Sequence, residues 1–297
     1  MKKIIVGIHG LKNKPPQEIL QEWWKLSIKE GLLRMGKPVK SFQFELAYWA
    51  DCNYQKPLDP LIKDKNSEYY IDNPYFPVNE HHQIPKKVKY KAKMLKFLEQ
   101  ELEKVVLHKK GFSGIDTILD LTIRRMFNDL DTYFHGNCRA NPQIKAKTFI
   151  QERLAKILRE NKDNRIMLIA HSMGSIVAVD TLRYFIPEVA ITSFVTIGSP
   201  LGIPVLLKKM QLENGTSFLR TPENIRKSWF NFFDPEDAIP MHYLLSDKFR
   251  ENSFGVKPID IVVHNDYEND VERNPHKAYG YLRTPNMAKL IAEFLEK

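Results

Sequence analysis

A serine flanked by small residues is the part of this chain best suited to covalent chemistry. The segment Arg165–Asp180 reads RIMLIAHSMGSIVAVD and places Ser172 two residues after Ala170 and two residues before Gly174. A serine hydroxyl attacks an acyl carbonyl once a nearby base takes its proton. Small residues on both sides let the backbone turn sharply at the serine, because such a turn brings neighbouring backbone atoms close together. We therefore interpret Ser172 as a candidate nucleophile.

The residues around Ser172 predict the two elements that would position it. The run Ile166–Ile169 is continuously apolar, which is typical of a strand buried on both faces of a parallel sheet. From Ser175 to Phe185 the apolar residues recur mostly at helical spacing. Ser172 would then lie at the carboxyl edge of the sheet, where the first N–H groups of the helix point at any oxyanion formed there.

This strand, serine and helix resemble the nucleophile elbow of the α/β-hydrolase family, whose motif is G-x-S-x-G. Ala170 replaces the first glycine and keeps that position small. The resemblance covers about residues 1–50 and 143–297. It implies an α/β-hydrolase fold, with a mostly parallel sheet flanked by helices, and a serine hydrolase of lipase or esterase type. Around Ser172 and Gly198–Pro200 the chain is similar to bacterial serine hydrolases and to deacylases that act on lipid anchors.

Two aspartates are candidates for the acid that the family places after the serine. A carboxylate is needed to fix the tautomer of the base and to stabilise its imidazolium form. The predicted strand Ser228–Phe233 leads into the segment DPEDAIP, which contains Asp234 and Asp237. The resemblance to the lipase pattern maps the acid onto Asp237. Asp234, the first carboxylate after the strand, is the alternative.

The resemblance places the base at His276, in the segment NPHKAYGYL just before the last predicted helix. His264, at the end of a predicted strand, is an alternative. His242 comes before any position expected for the base. Four further histidines fall in a segment interpreted below as an insertion and are expected to face solvent or to pack locally: His81, His82, His108 and His135.

A second backbone donor for the oxyanion is expected in the loop after the first strand. His9, Gly10 and Leu11 follow that strand and resemble the His-Gly pair of lipases. The resemblance assigns the oxyanion hole to the N–H groups of Leu11 and Met173. His9 would order the loop by hydrogen bonding, and an ordinary strand exit is the alternative reading of this pair.

Strand and helix signals alternate along residues 1–297, which predicts a single α/β domain. Strands are predicted at Lys3–Ile8, Phe42–Trp49, Arg165–Ala170, Ile191–Ile197, Ser228–Phe233 and Ile259–His264, and helices from near Pro15 through Ile28, at Pro142–Arg159 and after Pro285. A connection between two parallel strands needs only a dozen or so residues plus its helix, and most of residues 51–140 exceed this length. We therefore expect an insertion there. It combines a proline-rich irregular part with helical patterns at Lys91–Leu107 and Ile115–Phe134. The insertion is either a cap or lid over the site or a second structural layer.

The composition is that of a globular protein without a membrane span. Hydrophobic residues make up 43% and charged residues 27% of the chain, and no apolar run reaches the roughly 18 residues that a span requires. The amino-terminal residues are interpreted as a buried strand and not as a signal peptide. Only two cysteines, Cys52 and Cys138, are present, so a reducing cytoplasm is expected.

The net charge of +9 indicates affinity for anionic surfaces or substrates. Part of the excess lies at Lys86–Lys96, which is interpreted as a solvated helix face, with weak contact to an anionic membrane as the alternative. No nucleic-acid motif accompanies it. No cofactor and no metal are expected, since Glu80, His81 and His82 lack helical spacing and a further imidazole or thiolate.

These observations favour a hydrolase that cleaves carboxylic esters of small molecules or lipids through an acyl-enzyme on Ser172. Two other functions stay open. An acyltransferase or thioesterase would use the same three side chains on another acceptor or substrate, and a non-catalytic binding protein would keep only the fold.

Overall fold

A parallel six-stranded sheet forms the centre of the protein. The computed structural model describes residues 1–78, 128–237, 244–269 and 273–296. The sheet has the order β2-β1-β3-β4-β6-β8, and every neighbouring pair is parallel. Its strands are β1 (Lys3–Ile8), β2 (Gln43–Ala47), β3 (Arg165–His171), β4 (Ile191–Ile197), β6 (Ile225–Phe233) and β8 (Pro258–Val262), while β5 (Leu219–Arg220) and β7 (Phe249–Arg250) form a separate two-stranded parallel ladder.

Helices pack on both faces of this sheet. They are α1 (Gln17–Arg34), the described helical residues 128–135 (α2), α3 (Ala146–Glu160), α4 (Gly174–Asp180), α5 (Pro204–Asn214), α6 (Ala278–Leu282) and α7 (Pro285–Glu296); a short 3₁₀ turn lies at Ala50–Cys52 and a π turn at Thr181–Phe185 continues α4. Thr284 caps α7, because its hydroxyl accepts the N–H of Met287 at 3.4 Å.

The core consists of two apolar layers, because alternate side chains of each central strand point to opposite faces of the sheet. Ile4, Val6 and Ile8 pack in the layer that contains α3 and α4. Ile5 packs in the other layer, together with Trp24 of α1 and the apolar face of α7. Continuous apolar strands such as β3 are required here, since both of their faces are covered.

The strand order changes direction at β1, which has β2 on one side and β3 on the other. Ligands of open α/β sheets bind at the carboxyl ends of the strands at such a point. Ile8 of β1 pairs with Ala170 of β3, so Gly10 and Ser172 each lie two residues beyond the same level of the sheet. The topology therefore brings the loop after β1 and the turn after β3 together.

The predicted fold class, an α/β sheet of the hydrolase type, is confirmed by this architecture. Several boundaries were wrong by a few residues. β6 begins at Ile225 and not at Ser228, β8 ends at Val262 and not at His264, and α3 begins at Ala146 and not at Pro142. The predicted strand Phe42–Trp49 is shortened to β2, and the N–H of its last residue, Trp49, donates instead to a histidine ring of the loop after β1.

Part of the predicted insertion is described. Residues 53–78 contain turns and no regular helix, as expected of a proline-rich segment, and 128–135 are helical, at the end of the pattern predicted for Ile115–Phe134. The pattern at Lys91–Leu107 and the basic run Lys86–Lys96 lie outside the described residues. None of the helices in the described ranges has the length and apolarity needed to cross a membrane.

Candidate active site

Ser172 occupies a strained turn between β3 and α4. Its φ is +53°, a left-handed conformation that is uncommon for a residue with a side chain. The hydroxyl of Ser175 donates to the carbonyl of Ser172 at 2.6 Å and lies 2.7 Å from the hydroxyl of Ser199. A Cβ on Gly174 would lie 2.8 Å from the carbonyl oxygens of both Ile8 and His9, so no larger residue fits there. These contacts hold the serine in a conformation that the backbone alone disfavours.

The structure places His276 between Ser172 and Asp237. Nε2 of His276 lies 3.0 Å from Oγ of Ser172, and Nδ1 lies 2.8 Å from Oδ2 and 3.0 Å from Oδ1 of Asp237. Asp237 is fully buried, so its negative charge is screened little by water. In this arrangement the serine hydroxyl donates to Nε2, and Nδ1–H donates to the carboxylate. The imidazole is thus oriented to accept the serine proton, as a general base must be.

Asp234, the alternative acid, has a different set of partners. Its Oδ2 forms an ion pair with Arg273 at 2.5 Å and accepts the N–H of Asn265 at 2.7 Å, while Oδ1 accepts the N–H of Glu236 at 2.8 Å. This carboxylate joins the loop after β6 to the loop after β8. His264, the alternative base, is exposed and lies 3.1 Å from a guanidinium nitrogen of Arg273. His242 lies outside the described residues.

Tyr281 is a partner of Asp237 that no sequence motif indicated. Its hydroxyl donates to Oδ2 of Asp237 at 2.8 Å and accepts the N–H of Asp234 at 3.0 Å. Burial and the negative charge of Asp237 hold the pKa of the Tyr281 phenol well above its usual value. The hydroxyl therefore remains a donor, and it fixes the second oxygen of the carboxylate.

Two further side chains hold the loop that carries His276. The Nδ2 group of Asn265 donates to the carbonyls of Pro275 and Lys277, each at 2.8 Å, on either side of the histidine. Nε2 of His171 lies 2.8 Å from the carbonyl oxygen of His276. Burial, followed by repulsion from His276, lowers the pKa of His171 well below its usual value, so the ring is neutral and donates its Nε2–H to that carbonyl.

The loop after β1 lies directly against Ser172. A Cβ on Gly10 would lie 2.7 Å from Cβ of Ser172, so this approach requires glycine. Within the described part of the chain, the N–H groups of Leu11 and Met173 have no intramolecular acceptor. Donors reserved for a substrate oxygen must have this property.

His9 orders the loop after β1. The N–H of Trp49 donates to Nε2 of His9 at 3.0 Å, which leaves Nδ1–H to donate to the carbonyl of Gly10 at 2.8 Å. The ring also stacks on Trp49 with a centroid distance of 4.8 Å. Burial lowers the pKa of His9 well below its usual value, and the Lys14 charge adds to this, so His9 stays neutral.

Gly198 lies beside Asp237 and His276. Its φ is +54°, and an added Cβ would lie 3.0 Å from Oδ2 of Asp237 and 3.1 Å from Nδ1 of His276. The segment Gly198–Pro200 therefore contributes both a left-handed glycine and the hydroxyl of Ser199 that supports the elbow.

Two lysines lie near the candidate site and act on its histidines. Lys14 and Lys277 are partly buried, and burial is the largest cause that lowers the pKa of each, to about 7 for Lys277. Repulsion from Lys277 contributes next at Lys14, and repulsion from Lys12 contributes next at Lys277. Both changes shift these side chains towards the neutral amine, so they carry less positive charge here than exposed lysines would.

One cluster in the described residues has metal-ligand chemistry, formed by Asp234, Glu236 and His264. The guanidinium of Arg273 bonds to all three side chains. Arg273 therefore holds this cluster together, and the cluster joins the loop after β6 to the loop after β8. Glu80, His81 and His82, where the sequence did not favour a metal site, lie outside the described residues.

One protein-family model matches the part of the chain that contains this site. A family model described as the PGAP1-like alpha/beta domain matches residues 125–279, which include Ser172, Asp237 and His276. The curated proteins contain no match to this chain. The matched range exceeds half of the chain, and we conclude that the protein belongs to the PGAP1-like alpha/beta domain family, a family of the α/β-hydrolase type.

Proposed function

We propose that this protein is a serine hydrolase that cleaves carboxylic esters, of lipase or esterase type, through an acyl-enzyme on Ser172. The observation that supports it most is the hydrogen-bonded series from Oγ of Ser172 through His276 to the buried carboxylate of Asp237. A structural serine requires neither a left-handed backbone nor an imidazole held by its own carboxylate. Both features are expected of an activated nucleophile.

The reaction follows from the positions of these groups. Oγ of Ser172 attacks the ester carbonyl carbon while Nε2 of His276 takes the hydroxyl proton, and Asp237 stabilises the imidazolium through Nδ1–H. The N–H groups of Leu11 and Met173 donate to the oxygen that becomes negative. The tetrahedral intermediate collapses, the C–O bond to the alcohol breaks, and His276 returns the proton to that oxygen.

Water completes the cycle on the acyl-enzyme. His276 takes a proton from a water molecule as its oxygen attacks the acyl carbon, and a second tetrahedral intermediate forms. When this intermediate collapses, the bond between the acyl carbon and Oγ of Ser172 breaks, His276 returns the proton to Oγ, and the carboxylic acid leaves. An alcohol or thiol that replaces water at this step would make the protein an acyltransferase, and a thioester in the first step would make it a thioesterase.

Hydrolysis of p-nitrophenyl esters of increasing acyl length tests the proposal. Ser172→Ala should abolish turnover, whereas Ser193→Ala should retain it, because Ser193 is a buried serine of β4 bonded to Ser228 at 2.9 Å. Analysis of the products with and without an added alcohol or thiol separates hydrolysis from acyl transfer. Turnover that persists in Ser172→Ala would contradict the proposal.

A further inference from the structure

A single peptide unit beside the proposed oxyanion donor is bound on both sides. The unit that joins Leu11 to Lys12 donates its N–H to Oδ2 of Asp129 at 2.8 Å. Its carbonyl, that of Leu11, accepts the ammonium of Lys14. Lys12 itself has a φ of +73°, an uncommon conformation for a residue with a side chain. A distant side chain, Asp129, and a nearby one, Lys14, thus hold a backbone conformation that is uncommon by itself.

Asp129 reaches this peptide from the insertion. It lies in α2, in the segment predicted to be surplus to the basic fold, and only 4% of its surface is exposed. Its Oδ1 accepts Nδ2 of Asn53 at 2.9 Å, and its Oδ2 also accepts the hydroxyl of Tyr54 at 2.9 Å. Both partners follow the short 3₁₀ turn after β2. The carboxylate therefore joins the insertion, the segment after β2 and the loop after β1.

Burial raises the pKa of Asp129, whereas the hydrogen bonds from Lys12, Tyr54 and Asn53 and the charge of Lys14 act in the opposite direction. Burial of a carboxylate costs free energy, and hydrogen bonds of this kind offset that cost. A buried carboxylate in this position is therefore poorly explained by stability alone.

Lys14 binds the same loop from the other side. Its ammonium donates to the carbonyl of Lys12 at 2.8 Å as well as to that of Leu11. The adjacent Gly10 has no side chain, because the close approach to Ser172 excludes one, and glycine permits many backbone conformations. A loop with glycine at this position needs external contacts to keep the neighbouring N–H in one direction.

We propose that Asp129 is a positioning residue for the oxyanion hole, which holds the Leu11–Lys12 peptide so that the N–H of Leu11 points at the developing oxyanion. This inference rests on the proposed function. The N–H of Leu11 belongs to the Gly10–Leu11 peptide, which is joined to the Leu11–Lys12 peptide at Cα of Leu11. If the Leu11–Lys12 peptide is released from Asp129, the N–H of Leu11 can therefore turn away from the oxyanion. The insertion then has a part in turnover that is independent of any lid movement.

The test is a kinetic comparison of Asp129→Asn with a matched control. The amide keeps the size of the side chain but removes one acceptor oxygen and the charge, so the Lys12 N–H loses a favourable partner. We expect kcat for p-nitrophenyl esters to fall about tenfold to a hundredfold, with KM changed by less than about threefold, since misplacement of a transition-state donor by an ångström has effects of this size.

Asp180→Asn is the control. Asp180 is also a buried carboxylate, 2% exposed, bonded to the Tyr133 hydroxyl at 3.0 Å and to Lys147 at 2.9 Å. It should lose stability in a similar way, as measured by chemical denaturation, and keep its kcat. Lys14→Met removes the ammonium that binds the carbonyl of Leu11. It should lower kcat without raising KM, and it replaces Asp129→Asn as the test if that variant does not fold.

The outcomes separate the two proposals. A wild-type protein that neither hydrolyses esters nor reacts with a serine-directed phosphonate would overturn the proposed function. Two results would overturn the positioning role alone, in each case with an active wild type. One is that Asp129→Asn and Lys14→Met both keep full kcat. The other is that Asp180→Asn loses as much kcat as they do.

Discussion

Removal of one hydroxyl, in Tyr281→Phe, tests how the proposed acid is held. The hydroxyl makes two buried contacts, a donated bond to Oδ2 of Asp237 at 2.8 Å and an accepted bond from the N–H of Asp234 at 3.0 Å. Tyr281 is fully buried, so water cannot replace the lost oxygen without rearrangement. Phenylalanine has the same ring and therefore leaves the packing in place.

The expected magnitudes follow from these two contacts. A hydrogen bond to a charged group contributes about 1.5–3 kcal/mol net, and a buried N–H without an acceptor costs about 1–3 kcal/mol. Because such effects do not add fully, we expect the free energy of unfolding to fall by about 3 kcal/mol. Asp237 keeps both contacts with His276, so kcat should fall only about tenfold, which corresponds to about 1.4 kcal/mol in the barrier.

Urea denaturation and steady-state ester hydrolysis measure the two effects. Tyr267→Phe is the matched control, because Tyr267 is a fully buried tyrosine whose hydroxyl donates to the carbonyl of Pro74 at 2.6 Å. It should lose about 1 kcal/mol of stability and keep its kcat. A Tyr281→Phe variant with the kcat of the Tyr267→Phe variant would refute the positioning of Asp237 by this hydroxyl.

Three further predictions concern the acid, the loop and a lysine. Asp237→Asn should lower kcat about ten-thousand-fold, because the amide lacks the charge that stabilises the imidazolium and can donate to Nδ1, which favours the wrong tautomer of His276. Asp234→Asn should be less stable but retain kcat within about tenfold, and the opposite ranking would reassign the acid. Gly10→Ala should abolish ester turnover in a folded protein, as monitored by circular dichroism, because its Cβ would lie 2.7 Å from Cβ of Ser172; unchanged turnover would be inconsistent with this close approach. Folding lowers the pKa of Lys277 from 10.5 to about 7. Between these two pH values the unfolded chain binds more protons than the folded protein. Lys277 therefore makes the free energy of unfolding rise with pH from about 7 to 10.5. Lys277→Met should therefore be more stable at pH 6 and show a shallower rise in denaturation experiments from pH 7 to pH 10, and parallel curves would disprove the effect.

Several strands that lead into the candidate site were predictable from the sequence. The apolar run of β3 is long and covered on both faces, so it was recognisable, and β1 and β4 were predicted with their observed ends. The order of serine, acid and histidine follows from a family resemblance, and the structure brings Ser172, Asp237 and His276 within hydrogen-bond distance.

The supporting contacts were not predictable from spacing. Tyr281 and Asn265 act through the hydroxyl and the amide that they present to other loops, and only the tertiary arrangement determines which loops those are. Asp129 lies in a helix that was predicted from the spacing of its apolar residues. That spacing does not indicate that a polar side chain of the same helix is buried. Strand ends were displaced for a related reason, since loop contacts such as that of Trp49 with His9 compete with the sheet.

The central claim is that the hydroxyl of Ser172 is activated by His276. Intact-protein mass spectrometry after reaction with a fluorophosphonate tests it most directly, because the probe reacts covalently only with an activated serine. We predict one adduct on the wild-type protein, located on Ser172 by peptide mapping, no adduct on Ser172→Ala or His276→Gln, and wild-type labelling of Ser193→Ala. A folded wild-type protein that stays unlabelled, or an adduct that persists in Ser172→Ala, would contradict the account.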